Sequence, residues 1–339
     1  MHLFLSGSLR RRRSGGRRHF TGGDRSSAGR RGGQGNPDGI GGIGLKHLKV
    51  GSRESRLAVI QAKLAMDAVR EWDPEIELEL VAMKTTGDKI LDRTLDKIGG
   101  KGLFVRELDA ALLNGMVDFT VHSCKDLPMD LDPRLPLAGF SKRADPRDAL
   151  VLPNGVYELD PAKPIGCASA RRAVQLKKLF PGQPVAPVRG NVQTRLQKLD
   201  DGQYAALVLA AAGLVRLGLE DRITRYFSTD EMLPAAGQGI LAVQARAGEN
   251  ASYLSAFFDR DSADCALAER AFVRRLDGGC TSPTAAYATV QGETLTLRGM
   301  DVTAKGAPVF DTILGPRSQG ETLGIELAER ILQKRTEDA

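Results

Sequence analysis

Cys280 sits in the run Leu276-Asp277-Gly278-Gly279-Cys280-Thr281-Ser282-Pro283, just past a helix expected at about 262–276. Two glycines before the thiol and a proline after it exclude regular structure, so the cysteine rides on a loop. A structural cysteine usually packs inside a helix or strand as a small hydrophobe. A thiol on a Gly-Gly loop is a candidate for covalent chemistry, with a half-buried loop cysteine as the plain alternative. On this residue alone both readings stay open.

A second group of residues suggests anion capture. Arginine is suited to planar, bidentate binding of carboxylate or phosphate. Arg53 and Ser55 follow the first expected strand, and Ser123, Lys125 and Asp126 follow another in His122-Ser123-Cys124-Lys125-Asp126. Ser169, Arg171 and Arg172 open a helix, Arg189 and Arg195 span the start of the next, and Arg216 follows a third strand. Open α/β sheets bind ligands at strand C-terminal ends and helix N-termini. Six arginines and Lys125 converging there imply a ligand with many anionic groups, against the alternative that each arginine sits on a solvated helix face. Adjacent Arg171 and Arg172 cannot share one helix face, so at least one is expected to be structural. Asp126, an acid among cations, either neutralises them or stabilises a developing cation and moves protons. The glycine loop Gly99-Gly100-Lys101-Gly102-Leu103-Phe104 lacks a Walker A ending, and no G-x-G-x-x-G follows the first strand.

Strands alternating with helices must position these groups. Strands are expected at 48–50, 76–83, 117–121, 149–152, 204–210 and 240–244, with helices at about 57–71, 103–113, 170–179 and 192–199. The apolar run Tyr204 to Ala210 has the character of a buried parallel strand. This order predicts α/β layers with mainly parallel sheets. The last part differs: helix 262–276, three strands near 284–290, 294–300 and 308–314, then a helix near 319–334. The chain is expected to cross between two α/β domains at Ser141 to Arg147 and again at Gly237-Gln238-Gly239. No internal repeat is visible.

The composition, 42% hydrophobic and 27% charged, is that of a globular protein. The net charge of +6 comes from residues 1–44, which hold nine arginines and two acids, leaving the body near −1. The body therefore gives no support to a nucleic-acid-binding reading. That Arg-, Gly- and Ser-rich tail is expected to be disordered. It is open to three readings: a transit peptide to an organelle, an extension upstream of the true start, or a basic arm. Cys124, Cys167, Cys265 and Cys280 form no CxxC pair, which argues for free thiols in a reducing compartment and against structural zinc. With four histidines, two of them in the tail, no metal site is expected. No apolar run reaches the ~18 residues of a membrane span.

Taken together, six segments in register resemble the porphobilinogen deaminase (hydroxymethylbilane synthase) family. They are the glycine loop 99–104, His122 to Pro128, Asp145-Pro146-Arg147-Asp148-Ala149, Arg189 to Arg195, Leu233 to Gly239, and Glu269-Arg270-Ala271 through Cys280. The resemblance covers about residue 46 to the C-terminus. It implies two periplasmic-binding-protein-like α/β domains joined by two crossovers, plus a small α+β C-terminal domain. The expected division is 45–143 with 238–258, then 144–237, then 259–339.

The resemblance further implies a transferase that joins four porphobilinogen molecules head to tail, releasing ammonia, to give hydroxymethylbilane. A dipyrromethane cofactor would be held by thioether at Cys280. Asp126 would be the catalytic carboxylate, stabilising the azafulvene cation formed as ammonia leaves. Ser123, Lys125, Asp126, Ser169, Arg171 and Arg172 would surround the cofactor. Arg53, Ser55, Arg189, Arg195 and Arg216 would bind substrate, and Lys101 and Phe104 would lie in a loop covering the cleft. The family implies a cytoplasmic monomer.

Three positions depart from the family pattern. Cys167 replaces a usual threonine, which bears on one cofactor hydrogen bond. Arg56 replaces a common proline, and Cys124 replaces a bulkier residue. Two other classes compete: a non-catalytic anion-binding module, which has no need of Asp126 or Cys280, and a cysteine hydrolase, for which the body offers few histidines as general base.

Overall fold

The computed structural model describes residues 47–89, 105–279 and 282–337. Cys280, Lys101, Phe104 and the tail 1–44 lie outside the described residues. The described elements belong to one compact unit, Leu45–Ala339, built on three sheets.

The first sheet has the order β2-β1-β3-β10-β4. Its strands are β1 (His47–Arg53), β2 (Glu77–Met83), β3 (Phe119–Ser123), β4 (Leu137–Phe140) and β10 (Leu241–Ala245). Strands β2, β1 and β3 are parallel, and β10 enters antiparallel to both β3 and β4. Helix α1 (Arg56–Trp72) packs on it through Ala58, Ala62, Ala65, Met66 and Val69, a spacing that makes one apolar stripe. Ser55 caps α1, its hydroxyl accepting from the Ala58 amide.

The second sheet has the order β7-β6-β8-β5-β9. It contains β5 (Asp148–Val151), β6 (Ile165–Cys167), β7 (Val185–Pro187), β8 (Ala206–Ala210) and β9 (Arg225–Tyr226). Here too three strands are parallel, and one, β5, is inserted antiparallel beside β8. The helices are α2 (Arg106–Leu113) on the first sheet, then α3 (Ala170–Leu179), α4 (Val192–Asp200) and α5 (Ala211–Arg216) with the second.

Both sheets are therefore mixed, each with four strands running one way, in keeping with the expectation of mainly parallel sheets, and one strand reversed. Each segment passing between the sheets delivers a strand running against its neighbours. The strand at 204–210, read as a parallel one, is parallel to β6 and antiparallel to β5. The two connecting segments lie side by side, the Ala144 amide donating to the Gly239 carbonyl at 3.1 Å. Gly239 has φ +89°, and a side chain there would meet the Ala144 carbonyl at 2.5 Å, so this contact requires glycine.

The third sheet is an antiparallel meander of β11 (Ala285–Gln291), β12 (Thr294–Val302) and β13 (Pro308–Pro316). It buries Leu295, Leu297 and Ile313 against α6 (Arg260–Arg275) and α7 (Gly320–Glu337). Among the described residues no helix is long and apolar enough to cross a membrane.

Candidate active site

A cavity of about 830 Å³ opens between the first two sheets and the end of α6. Arg53, Ser55, Ser123, Lys125, Asp126, Ser169, Arg171, Arg172, Arg189, Arg195 and Arg216 all line it. Every described residue expected to hold cofactor or substrate is thus brought to one place. The topology explains why: β1 ends at Arg53, β3 at Ser123, β6 just before Ser169, and β8 just before α5. The N-terminal ends of α1, α3 and α4 contribute Ser55, Ser169 and Asn191. Helix N-termini favour negative charge.

The floor is a buried ionic cluster. Asp148, at the start of β5, is fully buried and accepts from Arg171 at 2.8 Å and from Arg172 at 2.7 and 3.0 Å. The expectation that at least one of Arg171 and Arg172 is structural agrees with these ion pairs, but the expectation that the two cannot act on one face is corrected. Both are buried, and at the first turn of α3 both reach the same carboxylate. Burial alone would raise the Asp148 pKa, but the two guanidiniums overcome it and hold it well below the usual carboxylate range. Two cations on one anion leave a surplus positive charge. Arg171 Nε, Arg189 Nε and Gln193 Nε2 are buried without a hydrogen-bond partner among the described residues. Orphaned donors in a cation-rich cavity fit a polycarboxylate ligand.

Other cations are crowded. Burial, with Arg172 and Arg189 nearby, lowers Arg195 to about 10. Burial lowers Arg216 to about 10 as it donates to the Gly239 carbonyl at 2.7 Å. Lys125 falls to about 8 because burial disfavours its charge and Arg172 and Arg171 repel it, although Asp126 and Asp148 oppose this. Asp126 sits on a single 3-10 turn, Cys124–Asp126, directly after β3, and its side chain is exposed to the cavity. Ser123 is tied to Gln61 of α1 at 2.9 Å.

On the far side, Gly279 and Ser282 line the cavity and close a turn, the Ser282 amide donating to the Gly279 carbonyl at 3.1 Å. Asp277 just before them takes φ +50°, ending the chain's helical course. Cys167 is buried, its thiol 3.7 Å from the Ser169 carbonyl. Cys124 is buried behind Gly237, and burial pushes its thiol up to about 11, which does not suit a nucleophile. His122 is buried against Thr120, and burial lowers it to about 4. It is poorly placed to serve a hydrolase.

Sequence reasoning passed over Asp148, Gln193 and Gln238. Asp148 and Gln238 lie in motifs noted for their glycines and prolines, so their polar side chains drew no separate attention.

Two mixed sheets facing one another across a cation-lined cleft, with the exposed carboxylates of Asp126 and Glu54 on its wall, define a protein that binds a polyanionic substrate between two α/β layers. Residues 48–253 match the model of the porphobilinogen deaminase dipyrromethane cofactor binding domain, and residues 263–333 that of the porphobilinogen deaminase C-terminal domain. A porphobilinogen deaminase of Acetivibrio thermocellus is 59% identical over 84% of this chain and 98% of its own length. One of Ruminiclostridium cellulolyticum is 56% identical over 85% of this chain and 98% of its own. One of Chromobacterium violaceum is 44% identical over 85% of this chain and 95% of its own. The chain belongs to the porphobilinogen deaminase family.

Proposed function

We infer that this chain is a hydroxymethylbilane synthase, a transferase of tetrapyrrole biosynthesis that condenses four porphobilinogen molecules with release of ammonia. The observation that carries this reading is a cavity holding surplus buried guanidinium charge, into which the Asp126 carboxylate is exposed beside Lys125. Cys280 would hold the dipyrromethane cofactor through a thioether, and the cofactor would supply a pyrrole as acceptor for the first substrate unit.

The chain's own residues then have distinct tasks. Each porphobilinogen carries an acetate and a propionate. Arg53, Arg189, Arg195 and Arg216, with Ser55, hold these carboxylates on the substrate side. Lys125, Ser123, Ser169, Arg171 and Arg172 hold them on the cofactor side. A bound carboxylate relieves the mutual repulsion of Arg172, Arg189 and Arg195, so binding is favoured where the empty site is electrostatically strained. Asp126 stabilises the cation that develops on the substrate ring as the C–N bond breaks and ammonia departs. Its carboxylate then faces the positive pyrrole nitrogen during condensation and accepts the proton lost from the attacking ring's α-carbon once the new C–C bond has formed.

The division into 45–143 with 238–258, 144–237, and 259–339 is part of this reading, as is a cytoplasmic monomer. Intact mass of the purified chain tests it. We expect a shift equal to two linked porphobilinogen-derived units, absent in Cys280→Ser. If neither porphobilinogen nor hydroxymethylbilane loads Cys280, the reading fails in favour of a non-catalytic anion-binding module.

A further inference from the structure

We propose that Gln238 is a positioning residue that holds Lys125 toward the cleft and links it, without neutralising it, to the Asp148 cluster. Gln238 lies on the second connecting segment and is fully buried. Its side-chain amide joins three elements. Oε1 accepts from Lys125 Nζ at 3.4 Å, and Nε2 donates to the Pro146 carbonyl at 2.7 Å and to Asp148 Oδ1 at 3.0 Å. The two acceptors around Nε2 fix which end of the amide is which.

The backbone leaves this side chain little freedom. Gly237 and Gly239 on either side have φ +73° and +89°. A side chain at Gly237 would meet Cys124 Sγ at 2.5 Å. The Gln238 carbonyl also accepts from Arg143 at 3.0 Å.

An amide suits this position chemically. It accepts from an ammonium and donates to a carboxylate at the same time. A carboxylate here cannot donate to Asp148 or Pro146, and a thioether does neither well. The charged groups facing Lys125 include Asp126 on its own turn, Arg171 and Arg172 on α3, and Asp148 on β5. Gln238 adds no charge to this set, so Lys125 keeps its positive charge for an anion in the cleft. Placed between both connecting segments, the amide keeps the Asp126 turn in register with the opposite wall.

The inference rests on the reading of Lys125 as an anion-holding residue. That reading has its own test: a Lys125→Ala chain that still acquires the full mass shift would sink it. Gln238 is tested by a readout other than turnover. Trace acetylation of the purified full-length chain by acetic anhydride, read at the Lys125 peptide by mass spectrometry from about pH 6 to about pH 10, gives that amine's titration.

Gln238→Met removes an acceptor for the ammonium, and we expect the Lys125 titration to fall by about half a pH unit or more. Gln238→Glu supplies an anionic acceptor, and we expect it to rise. A purely structural role would change the unfolding midpoint and leave the titration in place. An unchanged titration in folded Gln238→Met, or movement of both variants in one direction, overturns the proposal. Should Gln238→Met not fold, the near-isosteric Gln238→Glu carries the test, and no rise there overturns it.

Discussion

The floor of the cleft and the junction with the C-terminal sheet each bury one carboxylate against arginine, and the two are built to opposite ends. Asp148 meets two guanidiniums and the Gln238 amide. Glu269, equally buried on α6, meets the single guanidinium of Arg143 at 2.6 Å and two backbone amides, of Gly237 at 2.6 Å and Ala288 at 2.7 Å. Burial raises the Glu269 pKa in spite of these partners, while Asp148 is driven down in spite of burial. The count of cations decides the sign. One arginine per carboxylate makes a neutral clamp that fastens α6 to the connecting segments. Two per carboxylate leave positive charge over, and that surplus faces the cavity.

The largest effect should come from the cleft itself. Asp126→Asn should fold normally yet lose ~10²–10⁴ of turnover with porphobilinogen, because the carboxylate is exposed and carries little of the fold. Turnover within a few-fold of the parent would show that cations alone run the cleft.

The two buried carboxylates should then separate in urea unfolding. Asp148→Asn strands two buried guanidiniums and should cost about 3–5 kcal/mol. Glu269→Gln keeps an acceptor and should cost less, about 1–3 kcal/mol. Their pH dependences should differ in sign. The Asp148 pKa is depressed on folding, so its contribution is complete above its ordinary value of 3.8 and is lost as pH falls through the folded value. The Glu269 pKa is raised, so its contribution is complete below its ordinary value of 4.5 and is lost as pH rises through the folded value. The advantage of the parent over Glu269→Gln should therefore shrink on going from acid toward neutral pH, while that over Asp148→Asn should hold. Parallel pH profiles would dissolve the distinction.

The smallest effect concerns the thiols. Cys124 and Cys265 are buried and pushed up to about 11 by burial, and Cys167 is raised as well. All three should resist iodoacetamide in the folded chain, by peptide mass spectrometry, and react in urea. Labelling of Cys124 in the folded protein would mean that the wall behind Gly237 opens.

Much of this was legible in the sequence. Helix α3 was read at its observed limits, 170–179, and α1, α4 and α6 within two residues. Their caps and apolar stripes are local signals. Strands β6 and β7 were missed because each is three residues long, and β7 contains Pro187. The one reversed strand in each sheet was not foreseen because a buried apolar run looks the same whichever way its neighbour points, as β8 between β6 and β5 demonstrates. The repeated sheet plan left no trace in sequence for a similar reason: it is a repetition of pairing order. The cavity-lining residues were found from charge type and strand-end position. The joint use of Asp148 by Arg171 and Arg172 was not, since helix-face arguments ignore how far a guanidinium reaches from a first turn.

The central place of β10 has a consequence for how the chain comes together. Val121 of β3 pairs with Val243 of β10, and all five strands of the second sheet are encoded between them. On a ribosome the first sheet begins first but cannot close until the second has emerged. Its middle stays open for most of synthesis, with β3 offering an unpaired apolar edge. Such distant pairing slows folding, because a long loop must close before the contact repays it. The sheet begun first is completed only after the second has been made, and just before the third.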